Sequence, residues 1–515
     1  MSTADHTSTV LTITSPAVAG TVYLVGAGPG DPGLMTARAL ELIASADAIL
    51  HDRLIPRSAL QGARPDAILE YAGKGPRGDS IKQGSIEERM VELAKQGKSV
   101  VRLKGGDPLV FGRGAEEAAT LVEAGIAFEI VPGVTAGVAA AAYAGVPVTH
   151  RDHASAVAFV TGHENPEKPD QAIDWAALAV FPGTLVFYMG VRNLPSITEQ
   201  LIANGRDKDE PVAVVAQGTT PQQKTVTGTL STIAQLVADA QLQPPALTVI
   251  GPVVGERERI SWFEQRPLLG RKVVVTRARA QAGRLGALLA DLGADVTETP
   301  AISTQARNDA DVQSVIRQIG VYDLICCTSQ NGVEALFGAL AAAGLDARAL
   351  AGCQIAAVGK ATSAAFASHG VTADFVPQRA LAEGLLELLA DQELAGQNIL
   401  LAVAANARPT LREGLEERMA NIDEIAFYDT LVEPIADNQK AAIAAAEFVI
   451  FASGSAANST VEALGSADAL QSQRLISIGP TTSAALRSHG LEPNVEATQH
   501  DVEGLVEAVV RAATS

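Results

Sequence analysis

Short apolar runs alternate with longer amphipathic stretches along the chain, the strand–helix rhythm of an α/β protein. TVYLVGAG from Thr21, DAILHD from Asp47, SVVRLKGG from Ser99 and AFEIVPG from Ala127 predict strands. LMTARALELIAS from Leu34 and SIEERMVELAKQG from Ser85 predict helices between them. TLVFYMG from Thr184, PVAVVAQGTT from Pro211 and PALTVIGPVV from Pro245 continue the rhythm. The strands end in Gly, Pro or Asp, and ligands of open α/β sheets sit beyond the carboxyl ends of strands, so these loops are where chemistry is sought.

The charged and aromatic stretch ERERISWFEQRPLLG, from Glu256 to Gly270, precedes a fresh strand, RKVVVTRA. The major domain boundary is expected there, with a first domain over 21–255, a linker over 256–268 and a second domain over 269–515. Within the second half, AVGKATSAAFASHGV from Ala357 is echoed by SIGPTTSAALRSHGL from Ser477, 120 residues further on. YDLICCTSQNGVEAL and AEFVIFASGSAANSTVEAL echo each other in the same order, which predicts two similar α/β lobes.

At 515 residues and 47% hydrophobic, the chain exceeds a single core, and three or four lobes are expected. Its first twenty residues carry no Lys or Arg and read as a disordered leader, not a secretory signal. The most apolar stretch, 134–148, is Ala- and Gly-rich, broken by Pro147 and too short to cross a bilayer, so no membrane partner is expected. Three cysteines make neither a disulfide framework nor a four-thiolate zinc site and point to a cytoplasmic protein. His150 and His153 lack companions at zinc spacing, and no metal is expected. The net charge of -19 argues against a nucleic-acid partner, leaving any anionic substrate to local basic pockets.

GAGPGDPG, from Gly26 to Gly33, lies between a strand and a helix, where backbone N–H groups cradle polar ligand groups. As a dinucleotide fingerprint counted from Gly26 it fails at the sixth position, Asp31, although Asp52 ends the next strand where a ribose-binding acid would sit. Two more glycine loops, RLKGGDPLVFGRGAEEA from Arg102 and VPGVTAGVAAA from Val131, turn a nucleotide turn into a pocket. VYLVGAGPGDPGLMT, ILHDRLI, KGG, GGDPLVFGRGAEE, PGVTAG, GVPVTHRD, VTGH, FYMG and ALTVIG follow in the order of uroporphyrinogen III methyltransferases, which the chain resembles from Thr21 to Gly255. The resemblance implies two α/β lobes with the active site between them, S-adenosylmethionine as cofactor and a homodimer through this half. It also implies that Pro29, Gly105, Gly106, Asp107, Val110, Thr135, Ala136, Met189 and Gly218 line the cofactor site.

The reaction so implied is an in-line methyl transfer from a sulfonium to a pyrrole carbon, in which alignment matters most. Asp52, at a strand end, matches a base for the pyrrole N–H proton, and Lys74 matches the family's proton donor. Arg113, Glu116 and Arg151 match functional positions, the guanidinium groups suiting substrate carboxylates. Which group moves the proton stays open. An ordinary ion pair between Asp52 and Arg113 is the alternative, and Met189 taken alone reads as core.

From Leu269 onward the chain resembles uroporphyrinogen III synthases, through VTRA, YDLICCTSQNGVEAL, IAAVGKAT, FYDTL, FVIFASGSAAN and ISIGPTTSAAL. That family has two α/β lobes linked by a pair of strands, and closes linear hydroxymethylbilane with inversion of its last ring and loss of water. Tyr428 matches the tyrosine suspected of protonating the departing hydroxyl, with simple packing as the alternative. Thr328, Ser329, Asn331, Lys360, Ser453, Ser455, Thr481 and Thr482 offer polar loop contacts for a substrate with eight carboxylates, and Arg277 and Arg279 add charge. Many members carry Pro after the first Arg, where this chain has Ala278.

The expected fold class is thus α/β, a two-lobed tetrapyrrole methylase fold followed by a two-lobed uroporphyrinogen III synthase-like fold. The expected function is consecutive: the second half makes uroporphyrinogen III and the first methylates it twice to precorrin-2, toward sirohaem or cobalamin. A methyltransferase for a later corrin intermediate is disfavoured by HDRLI and FGRGAEE. A noncatalytic tetrapyrrole-binding second half stays as the other reading.

Overall fold

The computed structural model describes residues 15–72, 83–162, 173–276, 279–300, 302–379 and 381–514. The chain divides into two compact units at Gly270 and Arg271.

In the first unit, β1 (Thr21–Gly26), β2 (Ala48–His51), β3 (Ile68–Tyr71), β4 (Val100–Lys104) and β5 (Ala127–Val131) form one sheet in the order β3-β2-β4-β1-β5. Every pair is parallel. Val22, Leu24 and Val25 of β1 are fully buried, as a parallel strand with both faces covered requires. The helices α1 (Ala37–Ser45), α2 (Gln83–Lys95), α3 (Gly114–Glu123) and α4 (Ala136–Tyr143) follow strands of this sheet. Thr36 caps α1 by accepting from the Ala39 N–H, and Ala39, Leu42 and Ile43 form its buried stripe.

A second sheet holds β6 (Val157–Thr161), β7 (Thr184–Tyr188), β8 (Pro211–Ala216), β9 (Lys224–Thr229) and β10 (Ala246–Ile250), in the order β6-β7-β10-β8-β9. Only β6 and β7 run parallel. Residues 256–268, expected as a linker, pack onto this unit instead. Phe263 and Leu268 are buried, the Tyr143 ring meets Trp262 edge-on and Phe263 at a tilt, and Arg257 pairs with Glu264 at 2.5 Å. Of the expected disordered leader, residues 1–14 lie outside the described residues. Residues 17–20 are tied down: the Ala17 N–H donates to Ser45, Val18 to the Tyr23 hydroxyl and Gly20 to the Lys98 carbonyl.

In the second unit the chain opens one sheet with β11 (Lys272–Val275) and β12 (Asp295–Glu298). It crosses to build another from β13 (Ile302–Ala306), β14 (Leu324–Cys327), β15 (Gln354–Ala357), β16 (Asn398–Ala404) and β17 (Asn421–Val432). It then returns with β18 (Phe448–Phe451), β19 (Arg474–Ser477) and β20 (Val495–Glu496). The orders are β12-β11-β18-β19-β20 and β13-β17-β16-β14-β15. At the crossing, β13 lies antiparallel to the end of β17, Ile302 opposite Val432 and Ala306 opposite Tyr428.

The internal echo extends to hydrogen bonds. Asp374 accepts from the Ile355 N–H at 2.8 Å, and Asn494 from the Leu475 N–H at 2.7 Å, each partner 120 residues on. His369 meets Glu334 at 3.2 Å, as His489 meets Asn458 at 2.9 Å. Two lobes of one ancestry, each with its own core, explain why the second unit needs so long a chain.

Candidate active sites

Three loops beyond β1, β4 and β5 converge. The Ala27 N–H donates to the Lys104 carbonyl at 2.8 Å, and Gly28 and Gly106 exchange hydrogen bonds at 3.2 and 2.7 Å. A Cβ on Gly26 would lie 2.6 Å from Gly133 Cα and N and from the Gly106 oxygen, so glycine is what lets the loops touch. Asp107 fastens this contact, its two oxygens accepting from the Leu109 N–H at 2.8 Å and the Gly133 N–H at 3.1 Å. Pro29, Gly105, Gly106, Asp107, Thr135 and Ala136 are thereby gathered on the loops of one sheet edge, with half-buried Val110 on the turn after Asp107.

The second sheet closes the cleft. The Tyr188 hydroxyl, at the end of β7, meets Thr135 Oγ1 at 2.7 Å and accepts from the Gly137 N–H at 2.6 Å. Its ring lies 4.9 Å from that of Phe111. The Asp31 N–H donates to Thr219 Oγ1 at 3.1 Å, and the Tyr143 hydroxyl to Asp31 Oδ2 at 2.6 Å. Gly218 packs directly on Ala140 with no room for a Cβ. Met189 is exposed beside Tyr188, against its reading as core. Among the described residues seven non-glycines have left-handed backbones, and five of them, Phe111, Arg113, Met189, Gln217 and Thr219, with φ between 52° and 67°, stand on these loops. Such strain collects at functional sites.

Beneath the cleft Asp52 is paired, but not with Arg113. Arg102 Nη2 donates to Asp52 Oδ1 at 2.6 Å, while Arg102 Nε and Lys104 Nζ reach Glu117 Oε1 at 3.2 and 2.7 Å. Arg113 pairs with Glu116 at 3.2 Å, both exposed at the start of α3. Burial, aided by the Arg102 charge and opposed by Glu117, pulls the Lys104 ammonium below the usual lysine range. Arg151 is exposed on a turn and makes no hydrogen bond or ion pair among the described residues, and Lys74 lies outside them.

In the second unit the Tyr428 hydroxyl meets Ser329 Oγ at 2.9 Å, and Ser329 caps the helix Gln330–Ala342 by accepting from the Gly332 N–H. Burial raises the Tyr428 phenol above its ordinary range, which Ser329 partly opposes, so the phenol holds its proton at neutral pH. Thr328 directly follows β14, Asn331 lies in the first turn of the helix beyond it, and exposed Lys360 opens the helix Lys360–Ser368. On the other lobe Ser453 caps the helix Gly454–Leu464, with Ser455 Oγ at 3.0 Å. Thr481 is exposed, but Thr482 is only 2% exposed and offers a ligand no surface, a correction to its expected role. Arg277 lies outside the described residues.

Sequence reasoning passed over Tyr188, Asp31, Tyr143, Thr219 and the buried Arg102, Lys104 and Glu117. FYMG and RLKGG contained the signal: a polar tip ending an apolar strand, and two cations on one face of another.

Residues 21–234 match the family model of tetrapyrrole (corrin/porphyrin) methylases, and residues 283–507 that of uroporphyrinogen-III synthase HemD. A porphyrin biosynthesis protein HemD of Ruminiclostridium josui is 34% identical over 95% of this chain and 98% of its own. A uroporphyrinogen-III C-methyltransferase of Priestia megaterium is 53% identical over 46% of this chain and 98% of its own. Among solved structures, a uroporphyrin III C-methyl transferase from Thermus thermophilus is 39% identical with a TM-score of 0.40, covering 46% of this chain and 99% of its own. A uroporphyrinogen III synthase from the same organism is 22% identical with a TM-score of 0.30, covering 47% and 98%. Methyltransferase and synthase-like domains in one chain define an enzyme of tetrapyrrole biosynthesis. The chain belongs to the family that joins a tetrapyrrole methylase to a uroporphyrinogen-III synthase.

Proposed function

We propose that the second half closes hydroxymethylbilane to uroporphyrinogen III and that the first half methylates this product twice, with S-adenosylmethionine, to precorrin-2. The observation that carries the reading is the convergence of three glycine loops and five left-handed residues on one cleft, in a half whose relatives are named for uroporphyrinogen-III C-methylation.

The residues present suit the cofactor. Gly106, with φ of +68°, brings its backbone beside the start of α4, where a Cβ built on it would touch Ala136 N at 3.8 Å and Thr135 Cα at 3.9 Å. Thr135 and Ala136 open α4, whose N-terminus favours a carboxylate, and Asp107 keeps acceptor capacity for amino or hydroxyl groups. S-adenosylmethionine supplies an electrophilic methyl group on a cationic sulfur. Pro29, Val110, Met189 and Gly218 shape the walls. Asp52 accepts the pyrrole N–H proton and so makes the ring carbon a stronger nucleophile; its Oδ2 has no partner among the described residues. Arg113 and Arg151 bind substrate carboxylates, with Glu116 orienting Arg113. In the second half Tyr428 protonates the departing hydroxyl, oriented by Ser329.

The test is anaerobic incubation of the purified chain with hydroxymethylbilane, with and without S-adenosylmethionine, and separation of product isomers. Isomer III alone without cofactor, and its dimethylated derivative with it, is expected. Isomer I alone overturns the synthase assignment, and supplied uroporphyrinogen III left unmethylated overturns the other.

A further inference from the structure

A buried cluster of charge lies behind the candidate base and has no part in the chemistry above. On β4, Val101 and Leu103 join the apolar core on one face, while Arg102 and Lys104 point the other way, each 3% exposed. Glu117 on α3 is wholly buried between them. Such clusters stabilise a fold poorly, since apolar residues of similar volume do as well or better without the desolvation penalty. The geometry here has a direction. Arg102 Nε donates to Glu117 Oε1 at 3.2 Å, Nη1 to the Leu103 carbonyl at 3.3 Å and Nη2 to Asp52 Oδ1 at 2.6 Å. Lys104 donates to the same Glu117 oxygen at 2.7 Å. Three bonds in three directions fix the plane of the guanidinium. The Asp52 N–H also donates to the Leu103 carbonyl at 3.0 Å, so backbone and carboxylate of this residue are both held by β4. Of the four charged side chains only Asp52, at 32% exposure, emerges from the interior.

We propose that Arg102 is a positioning residue for the Asp52 carboxylate, with Glu117 and Lys104 holding Arg102 in place. The cluster fixes one Asp52 oxygen and presents the other to the substrate proton. Glu117 on α3 keeps its bond to Lys104 whatever stands at position 102, so the helix that follows Arg113 and carries Glu116 in its first turn does not depend on Arg102. The proposal rests on the reading of Asp52 as the base for methyl transfer.

A double-mutant cycle on the full chain tests it, with kcat and KM for uroporphyrinogen III at saturating S-adenosylmethionine, and S-adenosylhomocysteine affinity by calorimetry. Arg102→Met is expected to lower kcat by roughly 10²-fold, the loss for displacing a reacting group by about 1 Å, with KM and S-adenosylhomocysteine affinity unchanged. Arg102→Lys restores part of that loss. Added to Asp52→Asn, Arg102→Met lowers kcat no further, because it acts only through that carboxylate. Equal losses in both backgrounds, or an unchanged kcat in Arg102→Met, overturn the proposal while Asp52 keeps its role. An unchanged kcat in Asp52→Asn overturns the reading of the base itself. If Arg102→Met does not fold, the combined Arg102→Met, Lys104→Met and Glu117→Met variant removes the buried charges together and the same cycle is run on it.

Discussion

Replacing Tyr188 by Phe removes one oxygen and keeps a ring packed at 4.9 Å from Phe111 and 5.7 Å from Phe159. That oxygen ties the end of β7 to the start of α4, bonded to Thr135 at 2.7 Å and to the Gly137 N–H at 2.6 Å. Gly137 is buried, so its N–H is left without an acceptor, a loss of about 1–3 kcal/mol. Thr135 is half-buried and turns to water, which limits its share to the net worth of one hydrogen bond, about 1 kcal/mol. The expected destabilisation of the first unit is about 2 kcal/mol, roughly 30-fold in its folding equilibrium. Both tryptophans, Trp175 and Trp262, belong to this unit, so tryptophan fluorescence during urea unfolding reports it separately from the second. Because Thr135 and Ala136 open α4, S-adenosylhomocysteine affinity should fall as well. A variant within about 0.5 kcal/mol of the parent, with unchanged affinity, refutes the claim that this hydroxyl sets the cleft, being no more than an ordinary surface substitution does.

Tyr428→Phe is expected to leave the fold intact and slow formation of isomer III from hydroxymethylbilane by roughly 10²-fold, the typical worth of one acid–base group; a parental rate assigns the phenol to packing. Gln217→Gly relieves a left-handed backbone, and strain of about 1–2 kcal/mol against a glycine entropy loss of about 0.5–1 kcal/mol predicts a small gain in urea stability of the first unit. A loss of stability there shows the strain to be absent. Burial pushes the Cys326 thiol up to about 12 from an ordinary 9.0, so above pH 9 the unfolded chain releases this proton before the native one does. Stability of the second unit should therefore fall from pH 9 toward 12, read as a circular-dichroism midpoint, and Cys326→Ala should flatten the fall.

The strand–helix order was legible because the parallel strands carry unbroken apolar runs, and the strand-end rule located the loops before any geometry was available. Less legible was what those loops touch. Asp52 and Arg113 lie at neighbouring loops in the sequence pattern, but each pairs elsewhere, Asp52 with a cation inside β4 and Arg113 with the carboxylate three residues on. Period-two reading of VVRLK places two cations on a buried face, a conflict that only a partner such as Glu117 resolves, and no local pattern names a partner on another element. Residues 256–268 read as a linker because charged residues are frequent in them, yet Phe263 and Leu268 are buried in the first unit. Thr482 shows the opposite error: a polar residue at a helix start, drawn inward because its lobe packs on that turn.

Left-handed backbones explain why the cleft proposed for the cofactor was harder to see than its glycines. Sequence signals for such conformations are Gly and Asn, and none of Phe111, Arg113, Met189, Gln217 and Thr219 belongs to that set. Strain of about 1 kcal/mol or more at each of five positions is large against a domain stability of about 5–15 kcal/mol, so surrounding contacts must over-determine these loops. At Gln217 and Thr219 they do: the Gln217 N–H donates to the Pro245 carbonyl at 2.9 Å, the Thr219 N–H to Gln223 at 2.8 Å, and Thr219 Oγ1 holds the Asp31 N–H of the opposite lobe. One of these bonds, from the Asp31 N–H to Thr219 Oγ1, also brings loops of the two sheets together. Glycine at these turns would remove the strain, so the side chains found there favour the shape of the cleft over the stability of the first unit.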